Sequence, residues 1–329
     1  MNPFPYSEDN KRYHTLHYHF MKTFGMRMYK AAIDGGFTCP NLDGTVGTNG
    51  CSFCLGGAGE FAGSCKDSIS LQLKKEQNRI FKTYGTVPLI AYFQVHTNTY
   101  ASTQVLRKKY EEALSFPTVG GISIGTRADC ISDENTELIA ELSEKTYLTV
   151  ELGLQTVHDE TAREFGRGYD YEVFLKAYHM LKSKGIRTCV HLINGLKGET
   201  RAMMTETAET VGKLRPDAVK LHLLHILKNT RAEQQYQDGE IIPLRKDQYI
   251  DIICRQLEVL PPETVIERIT GDGGKDKLLA PEWSRDKISV LAGIDRELSA
   301  RSTWQGRLYE VGMLKSSGPQ EKYRRNMFL

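Results

Sequence analysis

Apolar residues along this chain gather in short, nearly continuous runs rather than at alternating positions. MRMYKAAI (26–33), VPLIAYFQV (87–95), GGISIGT (120–126), YLTVELGLQ (147–155), IRTCVHLI (186–193) and AVKLHLLHI (218–226) are rich in β-branched and aromatic residues. They read as strands covered on both faces, the pattern of a parallel sheet. Amphipathic stretches lie between them. SISLQLKKEQNRIFKTY opens on a serine placed to cap a helix, SDENTELIAELSEK carries acids in its first turn, and YEVFLKAYHMLKSKG closes on lysine and glycine. That is helix start and stop chemistry. Strand and helix alternating at intervals of roughly 30 to 40 residues predict serial right-handed βαβ units.

Six such units fall short of the eight of a closed barrel. The expected fold class is therefore α/β, a partial (β/α)6 TIM-like barrel over 26–226 with an N-terminal segment (1–25) and a C-terminal α/β extension (227–329) packed on it. The extension is expected to hold a helix near KDQYIDIICRQLEVL, a strand ETVIERIT, a glycine-rich turn GDGGKDK and a helix near DKISVLAGIDRELSA. In parallel α/β folds the loops after the strands' carboxyl ends build the site. The unusual polar residues fall there: CPNLDGTVGTNGCSFC after the first run, then HTNT, TRAD, LQT and NGLKGE after later ones.

Composition narrows the class. No run of about 18 apolar residues exists and the start MNPFPYSEDNKRYH lacks the apolar core of a signal peptide, so the expectation is a cytoplasmic protein without a membrane partner. A formal net charge of +2 is too small to argue for a nucleic-acid partner by itself, although RKK (107–109) and KYRR (322–325) are local basic clusters. Seven cysteines, an odd number in a reducing compartment, point clustered thiols toward metal or redox chemistry. Cys130, Cys189 and Cys254 stand singly beside apolar residues and read as small buried hydrophobes. Cys65 is open.

Cys39, Cys51 and Cys54 share one polar loop, which suits a metal centre. Zinc wants four closed ligands, usually two close pairs, and Cys65 could complete such a set. A four-iron cluster held by three cysteines would instead leave one iron open to a small ligand. Gly44, Gly47 and Gly50 let the backbone wrap closely around either.

The loop, with eleven residues between its first two cysteines, resembles that of radical S-adenosylmethionine (SAM) enzymes. YKAAIDGGFTCPNLDGTVGTNGCSFC is similar to the YhcC/YtqA (MnmL-type) branch, related to the catalytic subunit of Elongator but lacking its acetyltransferase domain. The likeness continues through YFQVHTNTYA, ISIGTRAD, VELGLQTVHDET, HLINGLKGET, KLHLLHILKNT and TGDGGKDKLLAPEWS. It implies that Cys39, Cys51 and Cys54 hold a 4Fe-4S cluster whose fourth iron chelates SAM. An electron from a donor such as flavodoxin or ferredoxin then cleaves SAM to methionine and a 5′-deoxyadenosyl radical. The resemblance also implies the SAM contacts. Phe53 would sit by the open iron, Thr97, Asn98 and Thr99 would lie near the methionyl amino group, and Gln94 would also contact SAM. Gln155 would meet the ribose, Arg167 the carboxylate, and His191, Ile193 and Gly195 the adenosine. Glu151, two residues from Gly153 on one strand face, is expected to line the pocket. Lys220 and His222 share a face of the sixth strand and are assigned to catalysis on the substrate side, whereas His225 cannot share the face of His222.

The substrate implied by the resemblance is transfer RNA at its wobble uridine, with 5-carboxymethylaminomethyl-uridine converted to 5-aminomethyl-uridine. Hydrogen abstraction from the glycine-like CH₂, oxidation to an imine and hydrolysis would release the amine. An anticodon loop would meet Lys11, Arg12, Lys22, Arg27, Lys322, Arg324 and Arg325, with Tyr13, Tyr18 and Tyr323 available to stack on bases. Two other readings stand beside this one. The same chemistry could act on a small metabolite or a protein side chain, or the chain could be a non-enzymatic iron-sulfur or zinc protein that senses redox state or scaffolds a complex.

Overall fold

In the computed structural model, which describes residues 4, 11–55, 62–271 and 276–309, all six expected strands lie in one parallel sheet. They are β1 (Tyr29–Ile33), β2 (Leu89–Phe93), β3 (Val119–Thr126), β4 (Tyr147–Gln155), β5 (Arg187–Asn194) and β6 (Ala218–Leu223), paired in chain order. The run AVKLHLLHI does not stay one strand. Leu224 N–H donates to Asn194 O at 2.8 Å, and the chain then leaves the sheet to form β7 (Ile226–Leu227). The segment ETVIERIT supplies β8 (Val265–Arg268), which joins the same sheet beside β6 with Ala218 opposite Val265 and Lys220 opposite Arg268. The half-barrel therefore has seven strands, and residue 226 falls inside its connectivity. β9 (Leu278–Ala280) pairs antiparallel with β7. The turn expected at GDGGKDK lies largely outside the described residues.

Continuous apolar runs bury both faces of the sheet. All five residues of β2 are buried, and Leu89, Ile90, Ala91 and Phe93 are fully so. The neighbouring strands come close enough that a Cβ on Gly121 would meet Tyr147 O at 2.3 Å, so this position of GGISIGT requires glycine. The helices cover the outside. α2 (Ile69–Tyr84) is capped by Ser68, whose hydroxyl accepts from Leu71 N–H at 3.1 Å. After α3 (Thr103–Leu114), α4 (Asp133–Lys145) begins in a reciprocal capping box of Ser132 and Asn135. α5 (Asp159–Phe165), α6 (Tyr171–Ser183), α7 (Arg201–Leu214), α8 (Arg231–Gln237), α9 (Lys246–Val259) and α10 (Lys287–Ala300) follow.

The segment before β1 closes the end of the barrel opposite the cysteine loop. α1 (Leu16–Phe24) is capped by Thr15 and places Phe20 and Phe24 against Met28, Ile90 and Tyr147, at the amino ends of the strands. Just before it, His14 O accepts from Ile266 N–H at 2.7 Å, which covers the outer edge of β8. Among the described residues no helix is long and apolar enough to cross a membrane.

Candidate active site

A buried amide is one of the tethers that hold the cysteine loop to the rest of the fold. Asn41, 4 % exposed, donates through Nδ2 to Gly166 O at 2.7 Å and Arg167 O at 3.3 Å, just past α5, and to Cys51 Sγ at 3.6 Å. Ser52 N–H donates to Phe165 O at 2.8 Å, Ala232 N–H donates to Ser52 O at 2.8 Å, and Phe53 packs on Phe165 with ring centroids 5.4 Å apart. The loop thus rests on the end of α5 and the start of α8. Positive φ at Gly44 and Gly50 lets it turn back on itself, with Gly50 N–H reaching Asn41 O at 2.8 Å.

The thiols suit a cluster better than a single ion. Among the described residues, the trio of His, Cys, Asp or Glu donors lying within 4.8 Å of one another is Glu151, Cys189 and His191, not the loop cysteines. Sulfur ligands of one tetrahedral zinc would sit roughly 3.8 Å apart, whereas corners of an iron-sulfur cube are more widely spaced. Cys65 is exposed. Burial, helped by nearby Cys54, pushes the Cys51 thiol up to about 12, against the opposing pull of Arg127 and the Asn41 amide. Buried thiolates therefore need cationic charge next to them, which iron supplies.

Beneath the loop lies a cavity of about 220 Å³ inside the barrel, with Cys51 in its wall. Its floor is a buried ionic network centred on Glu151, whose side chain is fully buried. One carboxylate oxygen accepts from Ser123 Oγ at 2.5 Å and Lys30 Nζ at 2.8 Å, and the other from His191 Nε2 at 2.8 Å and Lys220 Nζ. Lys30 also pairs with Glu267 on β8, and Lys220 lies 4.4 Å from the Tyr92 ring centroid. Burial alone would push Glu151 up, but Lys220 and Lys30 override it and hold the carboxyl well below the ordinary range. Two ammoniums on Glu151 also repel a metal from the Glu151, Cys189 and His191 trio. Burial lowers His222 well below its usual value and lowers His191 too, so both rings, 5.3 Å apart, are neutral near pH 7.

The structure gathers Gln94, Glu151, Gln155, Arg167, His191, Lys220 and His222 around that cavity. A register shift and φ of 71° turn Gln155 inward, where its Oε1 is buried without a partner, an acceptor suited to a ligand hydroxyl. Arg167 lines the wall but its guanidinium is engaged within the chain, donating to Tyr169 O, Leu154 O, Thr156 O and the Asp159 carboxylate. It therefore braces the loop after β4. Thr97, Asn98 and Thr99 are buried outside the cavity lining. Asn98 Nδ2 ties Phe93 O to Gly125 O, and Thr99 Oγ1 meets Thr126 Oγ1 at 2.6 Å and Cys130 O at 2.8 Å. Phe53 and Ile193 pack together in the satellite core beside the loop, and Gly195 turns at φ 89°.

Lys30, Tyr92, Arg127, Tyr169 and Arg268 join the site without having been singled out individually in the sequence. Lys30 carried a signal, being the one charge within β1, YKAAI. Of the basic and aromatic residues assigned to RNA, Lys11 pairs with Asp295, and Arg12 lies over Phe4 and donates to Thr303 O at 3.3 Å. Tyr13 is 6 % exposed and has no open face for a base. Lys22 lies over Tyr18 and Arg27 over Tyr84, each 5.4 Å from the ring centroid. Lys322, Tyr323, Arg324 and Arg325 lie outside the described residues.

Glu199, in the loop after β5, provides a pH signature behind this wall. Burial raises its carboxyl from 4.5 to about 7, against the opposing hydrogen bond from Thr156 at 2.5 Å. A carboxyl held protonated in the fold costs stability as it ionises. Stability should therefore fall by up to about 3 kcal/mol as pH rises from 4.5 through 7. Glu199→Gln should flatten that part of a urea-midpoint against pH plot, and an unchanged slope would show that Glu199 is already ionised.

Comparison with known proteins identifies the family. Residues 44–211 match the radical SAM superfamily and 216–300 match the radical SAM C-terminal domain. The uncharacterized protein YtqA of Bacillus subtilis is 47 % identical over 310 residues, covering 94 % of this chain and 96 % of the relative. The Escherichia coli protein YhcC is 34 % identical, covering 84 % and 89 %. A shorter match, 27 % identical over 46 % of this chain and 28 % of the relative, is the tRNA uridine(34) acetyltransferase of Methanocaldococcus infernus. In fold the chain resembles the Methanocaldococcus infernus Elp3 structure with an N-terminal deletion, at a TM-score of 0.63 and 18 % identity over 84 % of this chain and 64 % of that one. Proteins of this superfamily use a 4Fe-4S cluster and SAM. With likeness to YtqA and YhcC running through most of its length, the chain belongs to the radical SAM superfamily, in the YhcC/YtqA branch related to Elongator.

Proposed function

We propose that this radical SAM enzyme modifies the wobble uridine of transfer RNA in the cytoplasm, converting 5-carboxymethylaminomethyl-uridine and water to 5-aminomethyl-uridine and glyoxylate. The reaction withdraws two electrons and two protons from the substrate. The observation that carries the reading is that Cys51 shares one cavity with Glu151, His191, Lys220 and His222, so a substrate arm in that cavity lies between the cluster loop and a polar floor. The resemblance to a tRNA uridine(34) acetyltransferase supports the choice of RNA.

Cys39, Cys51 and Cys54 hold the cluster in this reading, and Gln94 and Gln155 face SAM. When bound, the cluster and SAM would supply the oxidant: overall cleavage of SAM to methionine and 5′-deoxyadenosine takes up both electrons and one of the two protons, and a flavodoxin or ferredoxin would prime the cluster with an electron that the substrate returns. Lys220, fixed by Glu151, offers its ammonium to the substrate carboxylate. His222, kept neutral by burial, faces the same cavity and offers a ring nitrogen for a hydrogen bond to the substrate.

Mass spectrometry of transfer RNA nucleosides from cells with and without the gene tests the reading. Loss of the gene should raise the carboxymethylaminomethyl nucleoside and deplete its aminomethyl product. An unchanged wobble-uridine profile would remove RNA as the substrate.

A further inference from the structure

A second and larger cavity, of about 810 Å³, opens at the side of the half-barrel. β1 and β8 are the two edges of the sheet and are not paired with each other; the Lys30 and Glu267 ion pair spans the gap between them. The side cavity shares Tyr92, Gln94, Lys220 and Arg268 with the cavity beneath the cysteine loop, so the two adjoin across these side chains. Its lining carries five cationic side chains, Arg27, Lys30, Arg79, Lys220 and Arg268, against the two carboxylates Glu76 and Glu267.

The outer rim is built of alternating guanidinium and phenol. Arg27 lies 5.4 Å over the Tyr84 ring, Arg79 lies 5.7 Å over the Tyr29 ring and donates to its hydroxyl at 3.0 Å, and the two tyrosine centroids are 6.3 Å apart. Arg79 is further fixed by Glu76, whereas Arg27 is exposed and Tyr84 is 52 % exposed. Large exposed aromatics beside exposed arginine form a surface on which bases stack while phosphates find charge. The inner cavity has room for a base's substituent arm, and the side cavity has room for the nucleotides that flank it.

We infer that this side cavity is the port through which a single-stranded RNA loop delivers its base to the reaction cavity, with Tyr84 stacking a base and Arg27 meeting a backbone phosphate. Arg268, where the cavities join, guides the anionic substituent toward Lys220. The inference rests on the transfer RNA reading above and gives it a location. Of the basic residues expected from sequence to meet the RNA it keeps Arg27, and it adds Tyr84 and Arg268.

The test measures binding of an anticodon stem-loop RNA with a wobble uridine to the cluster-loaded protein by fluorescence anisotropy across a salt series. Arg27→Ala and Tyr84→Ala are each expected to weaken binding on the order of tenfold. Arg27→Ala should also lower the slope of log affinity against log salt by about 0.7, the loss of one single-strand phosphate contact, while Tyr84→Ala leaves the slope intact. Iron content and melting midpoint, read on the same samples, separate lost contacts from lost structure, because both side chains are exposed. If the unaltered protein binds the RNA and both variants match it in affinity and slope, the port is wrong and the transfer RNA reading survives. If the unaltered protein binds no RNA, both fall.

Discussion

Glu151→Ala is expected to destabilise the protein by about 3 to 5 kcal/mol, the range for breaking a buried ion pair on one side only. The carboxylate sits fully buried between two ammoniums, and its removal leaves Lys30 and Lys220 with Glu267 as their remaining acid, 3.8 Å from Lys220. Glu151→Gln keeps the shape and loses the charge, so it should fail nearly as badly. Adding Lys30→Met to Glu151→Gln removes one charge of each sign and should recover part of the loss. Urea unfolding at pH 7 reads all three, and a Glu151→Ala midpoint equal to that of the unaltered protein would refute the buried network. The pH dependence has the opposite sign to that of Glu199. Because the Glu151 pKa is depressed in the fold, its contribution is complete above the ordinary value of 4.5 and is lost as pH falls through the lower folded value.

Each of Cys39→Ala, Cys51→Ala and Cys54→Ala should abolish SAM cleavage, to the background without enzyme, and strip the protein of iron after anaerobic reconstitution. A four-iron cluster with two protein ligands loses a corner that nothing else in the loop replaces. Cys65→Ala, at an exposed position, and Cys254→Ala, in the core of α9, should keep full iron content and cleavage. Cys254→Ala removes a small buried group at a cost of about 1 kcal/mol or more. Iron analysis and the visible absorption of reconstituted protein decide the matter. Iron retained by Cys51→Ala together with iron lost from Cys65→Ala would reassign the ligands.

The barrel was legible because parallel strands buried on both faces write themselves as apolar runs, and β4 matches its run YLTVELGLQ from end to end. The helix starts were legible for a local reason too, since Ser68 and Ser132 cap the helices they precede. What local pattern could not carry is which distant segments meet. ETVIERIT reads as a strand, yet nothing within it says that it lies against β6, a partner set by tertiary packing. The same holds at the site. Lys30 stood in plain view within an apolar run, but its partners Glu151 and Glu267 are 121 and 237 residues away. Arg167 makes the same point from the other side: its bonds to three carbonyls and to Asp159 depend on how the loop after β4 folds, which its place in FGRGYD does not reveal.

The amide of Asn41 has a consequence for how distant changes reach the thiols. Its bonds to Gly166 and Arg167, with those of Ser52 to Phe165 and Ala232, tie the cysteine loop to α5 and α8. A substitution that shifts the end of α5 therefore moves Cys51 without touching it, and the position of the thiols is inherited from a helix more than a hundred residues further along the chain.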